Sequence, residues 1–146
     1  MPEPLPIRLS TRGCPNQAIA FDAKYHNEIL HIYRADEQIV LHRYSATEIY
    51  QILQSLEKQF GQKYFPLANN VEHLGRGDER PGLGMTILQI GINTNITHAQ
   101  GSSYLGPCLE RLGYCEWNNK NNGIQWRLIQ ENISERQLLQ DLVDRF

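Results

Sequence analysis

Hydrophobic and polar positions alternate along two neighbouring segments in the N-terminal half of the chain. Residues 28–34 (EILHIYR) and 38–44 (QIVLHRY) are rich in β-branched and aromatic side chains. A short polar connection that contains Asp36 and Glu37 separates them. We therefore predict an antiparallel β-hairpin, preceded by a short strand at residues 18–22. The proline-rich residues 1–17 are expected to form an extended arm.

Two serines begin segments in which the hydrophobic residues recur at helical spacing. Ser45 with Glu48, and Ser134 with Gln137, have the spacing of a capping box. Each is followed by a stripe typical of an amphipathic helix. The last helix is expected to dock on the core or to pair with a second copy in a homodimer. The stripes are Ile49, Ile52, Leu53, Leu56 and Phe60 in the first helix, and Leu138, Leu139, Leu142, Val143 and Phe146 in the second.

Several local signals agree in residues 99–129. Ser102 and Ser103 can cap a helix, and Gly113 can end it because glycine adopts the left-handed conformation without a steric penalty. Two β-rich segments then flank a polar run that ends at Gly123, which predicts a hairpin. The hydrophobic face of the predicted helix consists of Tyr104, Leu105, Cys108, Leu109 and Leu112.

A helix that leads directly into such a hairpin resembles the recognition helix and wing of a winged-helix domain. The resemblance covers residues 85–129 and implies two preceding helices, at residues 85–92 and 96–100.

Pro66 is expected in the first turn of another short helix, which would reach Leu74. We therefore predict a single α+β domain: an N-terminal hairpin layer with an amphipathic helix (1–74), a glycine-rich loop (75–84) and a winged-helix-like half (85–146).

The winged-helix resemblance implies a surface that binds DNA or a protein partner. In that fold the second helix of the motif enters the major groove, and the tip of the wing contacts the DNA backbone or the minor groove. Asparagine can pair with adenine, and arginine or lysine can contact phosphates or guanine. A winged helix that contacts only proteins would have the same sequence pattern. The candidate residues are Ser102, Ser103 and Arg111 on the helix, Asn119, Lys120 and Asn121 at the tip, and Arg127 in the ribbon.

The predicted hairpin offers an alternative site. A tight turn at Asp36 and Glu37 would place Tyr33 opposite Val40, and His31 opposite His42 on the same face. Two neighbouring imidazoles are half of a zinc site or a haem site. The alternative hypothesis is thus a protein that binds a small ligand, haem or metal through these histidines and the 75–84 loop; otherwise no cofactor is expected.

The composition limits the functional class of the protein but does not indicate which partner it binds. The 146 residues carry a net charge of −2, so binding to nucleic acid is permitted but not demanded. No nucleophile, phosphate-loop or paired-acid motif is present, and we expect a non-enzymatic regulatory or adaptor protein. Cys14, Cys108 and Cys115 form no CxxC pair and are expected to be reduced thiols. With neither a signal peptide nor a membrane-spanning apolar run, the expected location is the cytoplasm.

Overall fold

A computed structural model describes residues 5–12, 18–67, 81–90, 96–120 and 122–146. These residues form five helices and two antiparallel sheets, so the α+β class is confirmed. The first sheet has four strands in the order β1-β2-β3-β4, and the second has three in the order β5-β7-β6. Cys14 and the predicted site residue Asn121 lie outside the described residues.

The four-stranded sheet is a meander of consecutive strands: β1 (Ile7–Ser10), β2 (Ala20–His26), β3 (Ile29–Arg34) and β4 (Val40–Ser45). The predicted extended arm supplies β1, which among the described strands pairs only with β2 and lies at the edge of the sheet. An edge position suits this part of the chain, because the nearby prolines cannot donate the hydrogen bonds that a central strand needs.

The register of the β3–β4 hairpin differs from the prediction. Tyr33 does pair with Val40, but the next pair is Ile32 with His42, so Leu41 is an extra residue in β4. Such a bulge shifts the register by one, and every later side chain of the strand then points to the other face. His31 is consequently opposite Arg43, and the predicted juxtaposition of His31 and His42 is wrong.

Helix α1 (Ala46–Phe60) begins and ends where the sequence predicts. The Ser45 hydroxyl accepts the Glu48 amide at 3.1 Å, and Gly61, with φ of 58°, lies at the C-terminal cap. The capping box is only half formed, because the Glu48 carboxylate turns inward to His98. The predicted hydrophobic stripe is buried against the sheet and the later helices, apart from the half-buried Phe60.

The middle of the chain contains one strand that the sequence did not predict. Phe65–Pro66 forms β5, so Pro66 does not begin a helix as predicted; residues 68–80 lie outside the described part. Helices α2 (Leu83–Ile90) and α3 (Ile96–Gln100) follow, close to their predicted positions.

Helix α4 (Ser102–Arg111) leads into the predicted hairpin, which consists of β6 (Cys115–Trp117) and β7 (Gln125–Leu128). Gly113 ends the helix in the left-handed conformation, with φ of 83°. Its amide bonds to Glu110 and the Tyr114 amide to Leu109, which is the Schellman pattern. β7 also pairs with β5, so the hairpin becomes a three-stranded sheet.

Helix α5 (Glu135–Arg145) is capped by Ser134, whose hydroxyl accepts the Gln137 amide at 3.0 Å. Leu138 and Leu142 are completely buried, and α5 packs on α1, so docking on the core is confirmed. Pairing with a second copy stays a prediction, which the exposed Val143 permits. Among the described residues, no helix combines the length and the hydrophobicity that crossing a bilayer would require.

Candidate functional site

The helix predicted to recognise DNA is mostly covered by the rest of the protein. α4 contacts β1, β6 and the helices α2 and α3. Its residues Ser102, Gly106 and Pro107 are buried along with the hydrophobic stripe, apart from the half-buried Tyr104. Ser102 therefore does not lie on the surface as predicted, and its hydroxyl has no hydrogen-bond partner among the described residues. Ser103 is half-buried, which leaves α4 little polar surface for a major groove.

The predicted basic contacts are largely engaged within the protein. Arg111 donates from Nε to the Arg145 carbonyl at 2.7 Å, and its guanidinium lies over the Phe146 ring. Arg127 forms an ion pair with Glu116, and its guanidinium lies over the ring of Tyr64, the residue before β5. At the hairpin tip Asn119 and Lys120 are exposed, and the Lys120 amide bonds to the Asn118 side chain. The exposed tip is thus separate from a helix that is mostly buried.

The two histidines proposed as metal ligands lie on opposite faces of the first sheet. His42 faces the interior, where its ring is 5.4 Å from that of Tyr104, and burial together with the charge of His98 lowers its pKa. His31 lies on the open face. Within the described parts of the chain, no group of three or more His, Cys, Asp or Glu side chains is arranged to hold a metal ion.

The open face of the four-stranded sheet contains a cavity of about 400 Å³. Leu5 and Pro6, which precede β1, contribute to its lining. Cavities of this size fall in the range that small-molecule sites occupy. The remaining lining is entirely polar or aromatic: Asp22, Lys24 and His26 from β2, Tyr33 from β3, and Glu37 and Gln38 from the hairpin turn.

Both carboxylates of the cavity have arginine partners. Arg8 Nε donates to Asp22 at 2.5 Å, and this hydrogen bond lowers the pKa of Asp22. Glu37 has a guanidinium nitrogen of Arg34 at 3.5 Å. Lys24, although charged, is only 9% exposed. Both carboxylates therefore have partners within the chain, and Lys24 lies almost completely buried in the same lining.

Three neighbouring aromatic rings lie on this face: His26 meets His31 edge-on, and His31 stacks with Tyr33. The His26 ring centroid is 4.3 Å from that of His31, which in turn is 6.0 Å from Tyr33. His31 Nδ1 lies 3.0 Å from the Ile29 carbonyl. Burial lowers the pKa of His31, and the nearby charges of His26 and Arg43 lower it further. His26 Nδ1 is buried and has no hydrogen-bond partner among the described residues.

The sequence did not identify this site, although a signal was present. Asp22, Lys24 and His26 stand at alternate positions, which is the spacing of one strand face. The predicted strand ended at residue 22, whereas β2 continues to His26. Extending it would have placed these three polar side chains on one face, next to the histidine and tyrosine of β3.

The interior contains a second polar group that the sequence did not predict. The Glu48 carboxylate and His98 Nε2 form a hydrogen bond of 2.7 Å, with side chains 3% and 6% exposed. The Tyr44 hydroxyl donates to the His98 carbonyl at 2.8 Å, and burial raises the pKa of Tyr44. A Cβ on Gly101 would lie 1.9 Å from that hydroxyl. This group joins α1, β4 and α3 in the core, and the lining of the open-face cavity does not include it.

Comparison with known proteins gives no relative from which a function could be transferred. No family model matches the chain, and no curated protein or solved structure matches it. The function therefore has to be argued from the geometry of the chain itself.

Proposed function

We propose that this chain is a non-enzymatic binding protein that holds a small polar ligand on the open face of its four-stranded sheet. The observation that carries the proposal is the cavity lined by Lys24, His26 and Tyr33. Ligand sites typically combine hydrophobic walls with a few convergent polar groups, and Leu5 and Pro6 supply the hydrophobic part here.

The unpartnered nitrogen of His26 supports this proposal. Buried polar atoms nearly always have a hydrogen-bond partner, because an unpaired one costs about 1–3 kcal/mol. His26 Nδ1 has none among the described residues, and its ring lines the cavity. Because this nitrogen has almost no exposed surface, a ligand in the cavity would supply the missing partner once the imidazole turns toward it. The proposal retains the earlier hypothesis of a small-ligand site but replaces the His31–His42 pair with His26, Lys24 and Tyr33.

The proposal is tested by screening a fragment library of neutral, anionic and cationic compounds with amide NMR spectroscopy. We expect fragments that bind to shift the amide resonances of β2 and β3. The variant Tyr33→Phe should bind these fragments more weakly. Tyr50→Phe is the matched control, since that hydroxyl lies on α1 and accepts from Gln54 instead. If no fragment perturbs the open face, or if both variants weaken binding equally, the proposal is wrong.

A second proposal is that the hairpin tip binds DNA or a protein partner, as the winged-helix resemblance implies. The exposed Asn119 and Lys120 support it. It ranks second because α4 is mostly buried and both predicted arginines have internal partners. DNA affinity that falls steeply with salt and is reduced by Lys120→Ala would support this second function; salt-independent or absent binding would exclude DNA as the partner.

Two free thiols bear on the compartment in which the protein would act. Cys108 and Cys115 are buried and unpaired by any disulfide. Reduced cysteines of this kind are typical of the cytosol. We therefore propose a cytoplasmic location.

A further inference from the structure

The charged groups of the cavity already have partners within the chain. Asp22 accepts from Arg8 at 2.5 Å, and the Glu37 carboxylate lies 3.5 Å from a guanidinium nitrogen of Arg34. Lys24, which lines the same cavity, is also engaged within the chain. A charged ligand would therefore lose its hydration without meeting an unpaired charge of opposite sign, and burying a charge in that way is costly. This balance disfavours anions and cations alike.

We propose, on the basis of the function proposed above, that the ligand is a neutral polyhydroxylated compound of the size of a monosaccharide. Hydrogen bonds to the polar lining would hold it, without an ion pair. The proposal follows from the balance of charges together with the mixture of donors and acceptors that the cavity presents.

Donors and acceptors occur side by side in the lining. Asp22 Oδ2 accepts the Asp36 amide at 3.2 Å, which leaves a lone pair of this oxygen for a second donor. The Gln38 amide and the Tyr33 hydroxyl can each donate and accept. His26 Nδ1 has no partner among the described residues. A hydroxyl group both donates and accepts, so a ligand with several hydroxyls can pair with all of these atoms, whereas a ligand with acceptors alone would leave the carboxylate without a donor.

The hydrophobic part of the lining fits the same class of ligand. Leu5, Pro6 and the ring of Tyr33 contribute apolar surface to the cavity. The carbon-bound hydrogens of a pyranose ring form an apolar face, and its hydroxyls project around the rim. A monosaccharide therefore presents apolar and hydroxyl groups together, as the lining requires.

The experiment compares matched hexoses by amide NMR titration at low salt. The probes are glucose, galactose and mannose, each with its uronate and its 6-amino-6-deoxy derivative, which place a negative or a positive charge at the same carbon. We expect at least one hexose to shift the amide resonances of β2 and β3, and its two charged derivatives to bind about tenfold more weakly. Added salt should leave the hexose affinity unchanged, because no ion pair forms. Cyclohexanol, which has one hydroxyl on a saturated ring, should also bind about tenfold more weakly.

One pair of variants tests the hydrogen bonds. Gln38→Leu removes a group that donates and accepts but keeps a side chain of similar size. We expect it to weaken hexose binding about fivefold, which is the usual contribution of one hydrogen bond. Gln51→Leu, on the exposed side of α1, is the matched control and should leave the affinity unchanged.

A second pair of variants tests the charge balance. Glu37→Gln keeps a hydrogen-bonding side chain but deprives Arg34 of this carboxylate. The uronate should then bind about as tightly as the parent hexose, because it can pair with the released guanidinium. Glu131→Gln removes an exposed carboxylate that does not line the cavity, and it should preserve the disadvantage of the uronate.

The outcomes separate the two proposals. If fragments bind the open face but no hexose does, or if a charged derivative binds the unmodified protein as tightly as its hexose, the ligand-binding function stands and the neutral polyhydroxylated ligand is wrong. If neither the hexoses nor the fragment library perturbs the open face, the ligand-binding function itself is refuted. Hexose binding that is equally strong in Gln38→Leu and shifts amides outside β2 and β3 lies elsewhere and overturns the assignment.

Discussion

The contact between Gly106 and Trp126 provides the sharpest test of how α4 is fixed to the second sheet. A Cβ added at Gly106 would lie 2.6 Å from Trp126 Cε2 and 2.8 Å from two more atoms of the indole. Carbon atoms pack best at about 3.5–4.0 Å, so the ring would have to move away by about 0.9 Å. Trp126 is only 1% exposed and has little room to move.

Two opposing effects decide the stability of Gly106→Ala. Overpacking a well-filled core costs about 1–3 kcal/mol, and a three-atom clash with a rigid ring belongs at the upper end. Alanine returns about 1 kcal/mol through its higher helix propensity. We therefore expect the free energy of unfolding to fall by about 2 kcal/mol, and the Tm by about 6 °C.

The assay is urea denaturation followed by far-UV circular dichroism, which is independent of the tryptophans. In Trp126→Phe the smaller ring leaves space for the added methyl group, so Gly106→Ala should lower the free energy of unfolding much less than in the parent protein. The coupling energy between the two sites should be about 1–3 kcal/mol. Ser103→Ala, in the same helix, controls for helix propensity. A Gly106→Ala protein that is about 1 kcal/mol more stable than the parent would refute the packing described here.

Three further predictions concern buried groups. Glu48→Gln should lower the free energy of unfolding by about 1–3 kcal/mol, because His98 loses its charged partner; no loss in urea denaturation would contradict the buried pair. His31 has its pKa lowered from 6.5 by folding, so the unfolded state binds the proton more readily. The free energy of unfolding should therefore decrease as the pH drops from 6.5 toward the lower pKa of His31 in the folded state. This decrease should be smaller in His31→Gln; an unchanged pH dependence would show that His31 does not cause it. Burial raises the pKa of Cys108 and Cys115, so in the folded protein a thiol reagent should label at most one of the three cysteines; fast labelling of two would contradict this burial.

Local signals predicted the starts of α1 and α5, the end of α4 and the second hairpin correctly because their causes are local. Ser45 and Ser134 do cap their helices, and Gly113 does end α4. Each of these features depends on residues within one or two turns. A single sequence is enough to identify them.

The register of β3 and β4 could not be predicted in the same way. The turn fixes the first pair, Tyr33 with Val40, but the extra residue Leu41 then shifts the pairing of the rest of β4 by one. Nothing in the letters around position 41 distinguishes a bulge from a regular strand. The consequence for function was large, since the displacement of one residue moved His42 from the open face to the interior.

The sequence of α4 contains a sign that the helix is buried, but the same pattern also fits an exposed recognition helix. Periodicity identified one hydrophobic face correctly, but the small residues Ser102 and Gly106, one helical turn apart beside that face, are buried as well. Small residues permit close approach of a neighbour, and Trp126 uses that space. Glu48 is similar: it lies one helical turn before Ile52, on the buried side of α1, but its partner His98 is distant in sequence.

Strand β5 also makes the two ends of the chain dependent on each other. It belongs to the N-terminal half, but it completes the C-terminal sheet through β7, while the C-terminal helix α5 packs on α1. A protease cut within residues 68–80 would thus yield two interlocked fragments, neither able to fill its own core. Produced separately they should be insoluble or unstructured, and produced together they should reassemble and melt in a single transition.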